Sequence, residues 1–405
     1  MPDAVHRTAS SSSERLVTPA FLLLTISGFF AMIGFSATLP LVPRFVEGQL
    51  DGGKVAVGIA VGIFSLSAVF ARPWIGQLGD TRGRRFIIVL GTATTAATVA
   101  AHALADSLPA LLFIRLLMGV TQGAFFVGSA TLVNDLAPPA RRGEATNLFS
   151  VAIYGGMALG PILGEVFQKR SGFSLAFVLS GASLAIASLL ALALPNDRPD
   201  PSTAPTHDPS VPRVLIYRAA IPPGIILMGG LFTFTALNGF MPLYVEERGL
   251  GSAGPILGVY GLLVLVMRVL GSKLPDRFGT HTMTVVSLIG QMAGMLVMGL
   301  WASQAGLYAG AAVLAIGGSF LYPTLLTAAV YRVPDNERAR ATSTFTLAFE
   351  LSAGIGGPFL GVAAAWFGTQ AAFLGAALTA ALVLPVLAVW SRERPEALVP
   401  PRPAG

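Results

Sequence analysis

Long apolar stretches alternate with short polar turns along almost the whole chain. A membrane-spanning helix needs about 20 mostly apolar residues, and twelve stretches reach that length. The longest polar gap, 195–218, separates six of them from the other six. The predicted spans lie approximately at 19–45, 55–75, 86–106, 108–132, 146–168, 173–194, 219–245, 254–274, 281–302, 305–331, 342–366 and 371–391.

This pattern predicts an all-α polytopic membrane protein with two six-helix bundles. The first bundle is predicted at 19–194 and the second at 219–391, with the loop 195–218 between them. The polar, serine-rich segment 1–18 is predicted to be a disordered tail, and 392–405 a second tail. The first apolar run is too long for a cleavable signal peptide.

The two predicted bundles share a charged turn that contains glycine. The turn at 76–85 reads GQLGDTRGRR, and a weaker copy follows in the second half. Asp80 corresponds to Asp276 and Gly83 to Gly279, each pair 196 positions apart. Because an acid and a glycine recur at one constant offset, we interpret the halves as homologous and pseudo-symmetric.

Composition supports the membrane assignment and excludes several chemistries. Only 11% of residues are charged, whereas soluble domains carry about 25%. Cysteine is absent, which removes disulfides, thiol nucleophiles and cysteine metal ligands. The four histidines form no cluster at metal-binding spacing. We therefore expect no enzyme activity, no metal and no cofactor, and the tails and loop are too short for a sensor domain.

The distribution of basic residues predicts the orientation. Eighteen Lys and Arg residues fall in the predicted tails and turns on the side of the amino terminus, and five fall on the other side. Basic residues accumulate on the cytoplasmic side of membrane proteins. Both termini are therefore expected in the cytoplasm, with the protein in the cell (inner) membrane, and the net charge of +6 does not indicate a nucleic-acid partner.

With twelve spans in two halves, the 76–85 turn resembles the loop pattern of the major facilitator superfamily, Gly-x-x-x-Asp-basic-x-Gly-basic-basic. Gly76, Asp80, Gly83, Arg84 and Arg85 match it, while Thr81-Arg82 displaces one basic residue. The resemblance covers essentially the whole chain. It implies the fold of that superfamily and secondary active transport of a small organic molecule by alternating access.

The resemblance also implies a cytoplasmic latch at this turn. Asp80 is expected beside the amino end of span eleven, where a helix dipole favours an anion. Arg84 or Arg82 is expected to pair with Asp135, and Asp276 is the second-half counterpart of Asp80. The alternative is that these charges only set the orientation of the helices.

A second pattern, Gly156-x-x-x-Gly160-Pro161-x-x-Gly164, is similar to the signature of the superfamily's proton-driven exporters. This resemblance favours a proton-coupled efflux antiporter. The alternative is a proton-coupled symporter importing a small nutrient such as a sugar or an organic acid, because the mechanics of alternating access are the same in both directions. A further alternative is that the motif serves only close helix packing and has no gating role.

Two charged residues lie well inside predicted spans, where an unpaired charge is costly. Glu350, eight residues into span eleven, is the first choice for proton coupling. Arg115, seven residues into span four, is expected either to tune proton release from a nearby acid or to bind an anionic group. The alternative for Glu350 is a structural acid that hydrogen-bonds neighbouring helices. The alternative for Arg115 is a structural arginine whose side chain extends to the outer interface. Glu165 is expected at the outer interface, close to Lys169 and Arg170, where a role as an external gate is also open.

The substrate cavity is expected to be lined from both halves. Gln122 shares a helix face with Arg115, and Asn238 is a candidate hydrogen-bonding residue in span seven. Phe126 and Phe30 are expected to shape an apolar wall. The few polar residues in the spans favour an apolar substrate. The expected partners are a small-molecule substrate, protons and the lipid bilayer, and a monomer suffices for this mechanism.

Overall fold

A computed structural model gives the fold for residues 16–138, 141–196, 216–271, 274–331, 333–334 and 337–393. Most of both predicted tails and of the central loop lies outside these ranges. A few residues inside helices are described by their backbone only. They are Arg72, Pro73, Gly76, Asp80, Asp276 and Ala339.

The described part of the chain consists of helices and the turns between them. The first half contains α1 (Pro19–Arg44), α2 (Gly53–Arg82), α3 (Arg84–Ala101), α4 (Leu108–Leu136) and α5 (Arg142–Leu192). The second half contains α6 (Ile221–Glu247), α7 (Ala253–Leu270), α8 (Leu274–Phe278), α9 (Thr280–Leu300), α10 (Gln304–Gly318), α11 (Leu321–Val330), α12 (Arg338–Phe367) and α13 (Gln370–Glu393).

Eleven helical segments of the described part are long and apolar enough to cross a membrane. One of them, α5, has 51 residues and changes direction at Gly172, whose φ of 76° lies in the left-handed region that glycine adopts easily. It therefore contains the fifth and sixth predicted spans. The all-α polytopic fold with twelve spans is confirmed.

The structure differs from the predicted spans in local details. Span ten is divided into α10 and α11, which are separated by Ser319 and Phe320. Helix α5, in contrast, agrees with the prediction: it continues through Pro161, and its non-helical backbone at Gly172 falls between the fifth and sixth predicted spans. Helix α12 begins at Arg338, four residues before the predicted start of span eleven.

Local sequence explains where several helices begin. The Thr18 hydroxyl accepts a hydrogen bond from the Phe21 N–H at 3.2 Å and Pro19 follows, a common arrangement at a helix start. Gly83 and Gly279 open α3 and α9 with φ values of 91° and 79°. Side chains resist this backbone region, so the same glycine requirement recurs at equivalent turns of the two halves.

Two ends of the molecule are named by the residues found there. The Arg84 face carries the α2–α3 turn and the start of α1. The Glu165 face carries the α1–α2 and α6–α7 turns and the kink of α5. These names imply no membrane orientation.

Helix α5 packs closely on α1 through its glycines. A Cβ at Gly160 would lie 2.0 Å from the Ser36 Oγ, and one at Gly164 would lie 2.2 Å from the Ala37 carbonyl oxygen. The Ser36 hydroxyl also donates to the Gly156 carbonyl at 3.1 Å. Only glycine permits this approach, so the motif's first structural role is helix packing inside the first half.

The two halves meet along two antiparallel helix pairs, α2 with α12 and α5 with α7. A Cβ at Gly58 would lie 2.2 Å from the Gly357 carbonyl oxygen, and one at Gly62 would lie 2.9 Å from that of Gly354. On the other side, a Cβ at Gly254 would lie 2.7 Å from the Pro161 carbonyl oxygen. Small residues thus allow the backbones of the two halves to come into contact along both helix pairs.

Candidate functional site

Arg115 lies inside the first half, between α4 and α2. Its side chain is 7% exposed, and its Nε donates to the Ala60 carbonyl at 2.7 Å. The guanidinium carbon is 5.5 Å from the centre of the Phe64 ring. Among the described residues, no carboxylate forms an ion pair with Arg115. The arginine is therefore held by one carbonyl and one aromatic ring.

The position of Arg115 follows from a close approach of α4 to α2. A Cβ at Gly119 would lie 2.0 Å from the Phe64 carbonyl oxygen and 2.1 Å from the Ser67 Oγ. Glycine at this position lets the helices touch one turn from Arg115, which brings the guanidinium within reach of Ala60. The ring of Phe35, on α1, is 5.5 Å from the ring of Phe64 and extends the aromatic surface.

The other residues predicted to line the cavity have different surroundings. Gln122 is 7% exposed and lies two turns from Arg115 on α4. Asn238 is 8% exposed, and its Nδ2 donates to the Phe234 carbonyl one turn earlier. Phe30 is half-buried, whereas Phe126 is 42% exposed and meets Phe125 edge-on.

The structure brings the segment that carries Asn238 to the level of Arg115. Gly239 of α6 packs against Val61 of α2: a Cβ added at Gly239 would lie 3.4 Å from a Val61 methyl group. Val61 follows Ala60, the residue that accepts the Arg115 hydrogen bond. The two halves thus meet beside Arg115 at α2, so both contribute backbone to this region.

Glu350 lies on α12 and is 9% exposed. Two residues further on, the Ser352 carbonyl accepts from the Thr235 hydroxyl of α6 at 3.4 Å. Gly354 faces Leu66 of α2, where a Cβ would lie 2.6 Å from a Leu66 methyl group. The acid is therefore adjacent to the contact between the two halves.

Arg115 and Glu350 do not form an ion pair. Because Gly58 faces Gly357 and Gly62 faces Gly354, Ala60 is level with the residues between them on α12. Glu350 lies about five residues from that level, or about 8 Å at 1.5 Å per residue, toward the Arg84 face. The two predicted proton-coupling residues therefore occupy separate positions in different halves.

Glu165 has a different environment from the one expected at the sequence level. We expected an interfacial acid near Lys169 and Arg170, but its side chain is 2% exposed. Arg44 approaches it with 2.9 Å between Nη1 and Oε1. The acid is buried because α7 of the other half covers it: the Ala253 N–H donates to Oε1 at 3.0 Å. Its depth at the interface stays a prediction.

Further contacts join the two halves at the Glu165 face. Arg44 also approaches Glu246, with 3.2 Å between Nε and Oε2. Lys54 pairs with Glu247 at 2.7 Å, and the Thr369 hydroxyl donates to the same carboxylate at 2.6 Å. Lys169 donates to the Ser252 hydroxyl. A cavity of about 250 Å³ lies beside these pairs, lined by Arg44, Glu47, Gly48, Leu243, Glu246 and Glu247.

The predicted latch residues lie at the Arg84 face. Of the two arginines offered by the sequence, Arg84 approaches Asp135, with 3.4 Å between Nε and Oδ2. Arg82 instead lies over the Phe86 ring at 5.4 Å. Arg85 also has an interaction partner. Gly76, Asp80 and Asp276 belong to the part whose side-chain surroundings are not described, so the latch stays a prediction.

Comparison with known proteins identifies the family. The family model for the Major Facilitator Superfamily matches residues 24–307 and 276–405. These matches span almost the whole chain, and the chain belongs to this superfamily. It is accordingly a multi-pass membrane protein that carries out secondary transport, and not an enzyme.

Relatives and solved structures agree with this assignment. An MFS-type transporter of Salmonella typhimurium is 28% identical over 401 residues, covering 97% of this chain and 100% of the relative. One of Pseudomonas aeruginosa is 28% identical over 385 residues, covering 91% and 92%. The crystal structure of the nucleoside transporter NupG is 15% identical with a TM-score of 0.76, covering 92% of this chain and 99% of NupG. At that identity the likeness shows the fold alone.

Proposed function

We propose that the protein is a proton-coupled efflux antiporter for a small organic molecule, working by alternating access as a monomer. We further propose that it lies in the cell (inner) membrane with both termini in the cytoplasm. The excess of basic residues near the Arg84 face supports this orientation. In this arrangement the Glu165 face is the outer face.

The observation that carries the proposal is the burial of Glu350 beside the contact between the halves. An ionisable residue inside a membrane span is costly and commonly marks a proton or substrate pathway. At 9% exposure on α12, Glu350 is next to backbone that contacts both α2 and α6. Loading or losing a proton there changes the charge at the surface along which the halves move.

Contacts at the Glu165 face support alternating access. Arg44 with Glu246 and Lys54 with Glu247 join the halves there, and Glu165 accepts from the amino end of α7. These contacts must separate when this face opens. The structure is thus consistent with a state closed on the outer side, and rocking of the two halves exposes the site to each side in turn.

The resemblance of the α5 glycine motif to the signature of proton-driven exporters favours an antiporter over import of a nutrient. Gly156, Gly160 and Gly164 seat α5 on α1, and the Pro161 carbonyl faces Gly254 of α7 in the other half. The motif therefore joins packing inside the first half to closure against the second. We propose that this seal limits proton leakage through the closed outer side.

Reconstituted liposomes with an acidic lumen test the coupling. A panel of small organic cations, neutral compounds and anions is added outside while a trapped dye reports the lumenal pH. An antiporter takes up its substrate as protons leave, so a transported compound raises the lumenal pH more than it does in protein-free liposomes, where only passive entry of weak bases consumes protons. Glu350→Gln is expected to abolish this substrate-dependent proton movement.

Asp106→Asn is the matched control, because this acid lies in the exposed turn before α4. It is expected to retain proton movement. Uptake driven only when the outside is the acidic side would establish a symporter in place of the antiporter. Proton movement that survives Glu350→Gln would place the coupling site elsewhere.

A further inference from the structure

Arg115 is a buried cation without a counter-charge among the described residues. It is 7% exposed, and seven residues of α4 separate it from the Glu165-face end of that helix, about 10 Å at 1.5 Å per residue. No carboxylate of the described residues pairs with it. Removing a charge from water without compensation is strongly unfavourable, so this site favours a bound anion.

The terminal nitrogens of Arg115 are the groups that remain to bind such an anion. The hydrogen bond to Ala60 uses Nε only. The two Nη atoms have no hydrogen-bond partner among the described residues, and neither is fully sealed from solvent. The two Nη groups carry four N–H bonds in a planar arrangement that matches the two oxygens of a carboxylate.

The walls beside the guanidinium are aromatic and apolar. Phe64 lies against the cation at 5.5 Å, and Phe35 lies 5.5 Å from Phe64 between ring centres. The neighbouring backbone is that of Ala60 and Val61. A substrate here meets a positive group beside a surface that binds rings or hydrocarbon.

We propose that Arg115 is the anion-recognition group of the substrate site, and that the transported substrate is an organic anion with an aromatic or apolar body. This inference rests on the proposed transport function and assigns its substrate class. Of the two roles expected for Arg115, it selects anion binding over tuning proton release from a nearby acid, because no carboxylate of the described residues pairs with it. Gln122, buried on the same side of α4, offers an amide to further polar groups of the substrate.

A negative charge on the substrate also favours its export. Exchange of one monoanion outward for one proton inward moves two positive charges inward in each cycle. A membrane potential that is negative inside drives both movements. Export of an organic anion by this exchange is therefore expected to depend on the membrane potential as well as on the pH gradient.

Three probes with the same ring system test recognition in purified, detergent-solubilised protein. Naphthoate, naphthylmethanol and naphthylmethylammonium differ mainly in charge, and equilibrium dialysis measures their binding. Naphthoate is expected to bind the wild type more tightly than the alcohol or the ammonium. Tighter binding of the ammonium, or no binding of naphthoate, overturns the proposal.

Variants at Arg115 locate the binding. Arg115→Gln is expected to weaken naphthoate binding by roughly tenfold to a hundredfold, the loss typical of hydrogen bonds to a charged group. Arg115→Lys keeps the positive charge but loses the planar guanidinium, so its affinity for naphthoate is expected to lie between those of the wild type and Arg115→Gln. Arg170→Gln removes an exposed arginine at the same end and is expected to bind like the wild type.

Size-exclusion profiles and thermal midpoints of the variants establish that weak binding does not arise from misfolding. If Arg115→Gln is poorly folded, a binding loss in well-folded Arg115→Lys decides in favour of the proposal, and wild-type binding there decides against it. Full naphthoate binding by a folded Arg115→Gln overturns it.

Liposomes then separate this inference from the proposed function. Naphthoate bound through Arg115 but moved without protons supports the anion site and contradicts proton coupling. Proton-coupled movement of naphthylmethylammonium, with naphthoate inert, supports the antiporter and contradicts the anion site.

Discussion

Two buried arginines of the first half, Arg44 and Arg115, have opposite electrostatic environments. Arg44 ends α1 at the Glu165 face, with its side chain 10% exposed, and pairs with Glu165 and Glu246. Arg115 is 7% exposed and has a carbonyl and an aromatic ring as its neighbours. Carboxylates of the described residues supply the counter-charge for Arg44, whereas for Arg115 we propose that a ligand supplies it.

The comparison separates structural charge from binding charge. A buried cation with carboxylate partners holds helices together, and its loss leaves those carboxylates uncompensated. A buried cation without such partners is itself the destabilising group, so its replacement by a neutral side chain relieves the protein. Replacement by a neutral side chain is therefore expected to have opposite effects on stability at Arg44 and at Arg115, although both residues are arginines with little exposure.

The largest expected effect is at Arg44. Arg44→Gln leaves Glu165 buried with only the Ala253 N–H as a described donor, and is expected to lower the free energy of unfolding by about 3–5 kcal/mol. Arg115→Gln is expected to leave stability unchanged or to raise it. Denaturation of both variants in detergent micelles measures the difference. Equal losses at the two positions would remove the distinction drawn here.

The next effect concerns the helix contact that positions Arg115. Gly119→Ala places a Cβ against the Phe64 carbonyl oxygen and is expected to cost about 1–3 kcal/mol of stability by overpacking. Naphthoate binding should weaken with it, because α4 must shift relative to Ala60. Gly123→Ala is the control on the same helix, since its nearest neighbour is a flexible Ile75 methyl group at 3.3 Å. Similar behaviour of the two alanine variants would show that close packing does not hold Arg115 in place.

A double-mutant cycle refines the Arg44 side of the comparison. Combining Arg44→Gln with Glu165→Gln removes both charges of the buried pair. The combined loss of stability is expected to be smaller than the sum of the single losses, by about 0.5–3 kcal/mol, as is usual for residues in contact. Additive losses would mean that Arg44 stabilises the protein mainly through Glu246.

The smallest effect is expected at the more exposed pair of the same face. The side chains of Lys54 and Glu247 are 20% and 36% exposed. Lys54→Gln is expected to cost about 0.2–1 kcal/mol, and the loss should shrink at high salt because exposed charges are screened. Thermal midpoints at low and high salt measure it. A loss as large as that of Arg44→Gln, independent of salt, would show that burial is not what separates strong from weak pairs here.

Much of the fold was accessible from local sequence. The apolar lengths predicted twelve spans, and the recurrence of Gly83 at Gly279 predicted equivalent turns, whose φ values are both positive. The division of span ten at Ser319 and Phe320 carried no clear signal, because both residues are common inside apolar helices. The break between the fifth and sixth spans was predicted after the polar stretch at Lys169 and Arg170, and the backbone of α5 leaves the helical region there, at Gly172.

The candidate site was accessible only in part. The depth of Arg115 and Glu350 within their spans follows from counting residues, and both side chains are buried. Their separation does not follow, because it depends on the register between α2 and α12. Glu165 shows the same limit more strongly: its partners Arg44 and Ala253 are 121 and 88 positions away in the chain.

The lipid environment of this protein, its helices and its two related halves were predictable from the sequence, because apolar stretches, the low share of charged residues and the glycine turns need no knowledge of how the helices pack. Which buried charges are compensated became visible only once the helices were packed together. A carboxylate stabilises a cation only within a few ångströms, and helix packing sets such distances between residues far apart in the chain. Arg44 obtained its acids in this way, and Arg115 did not.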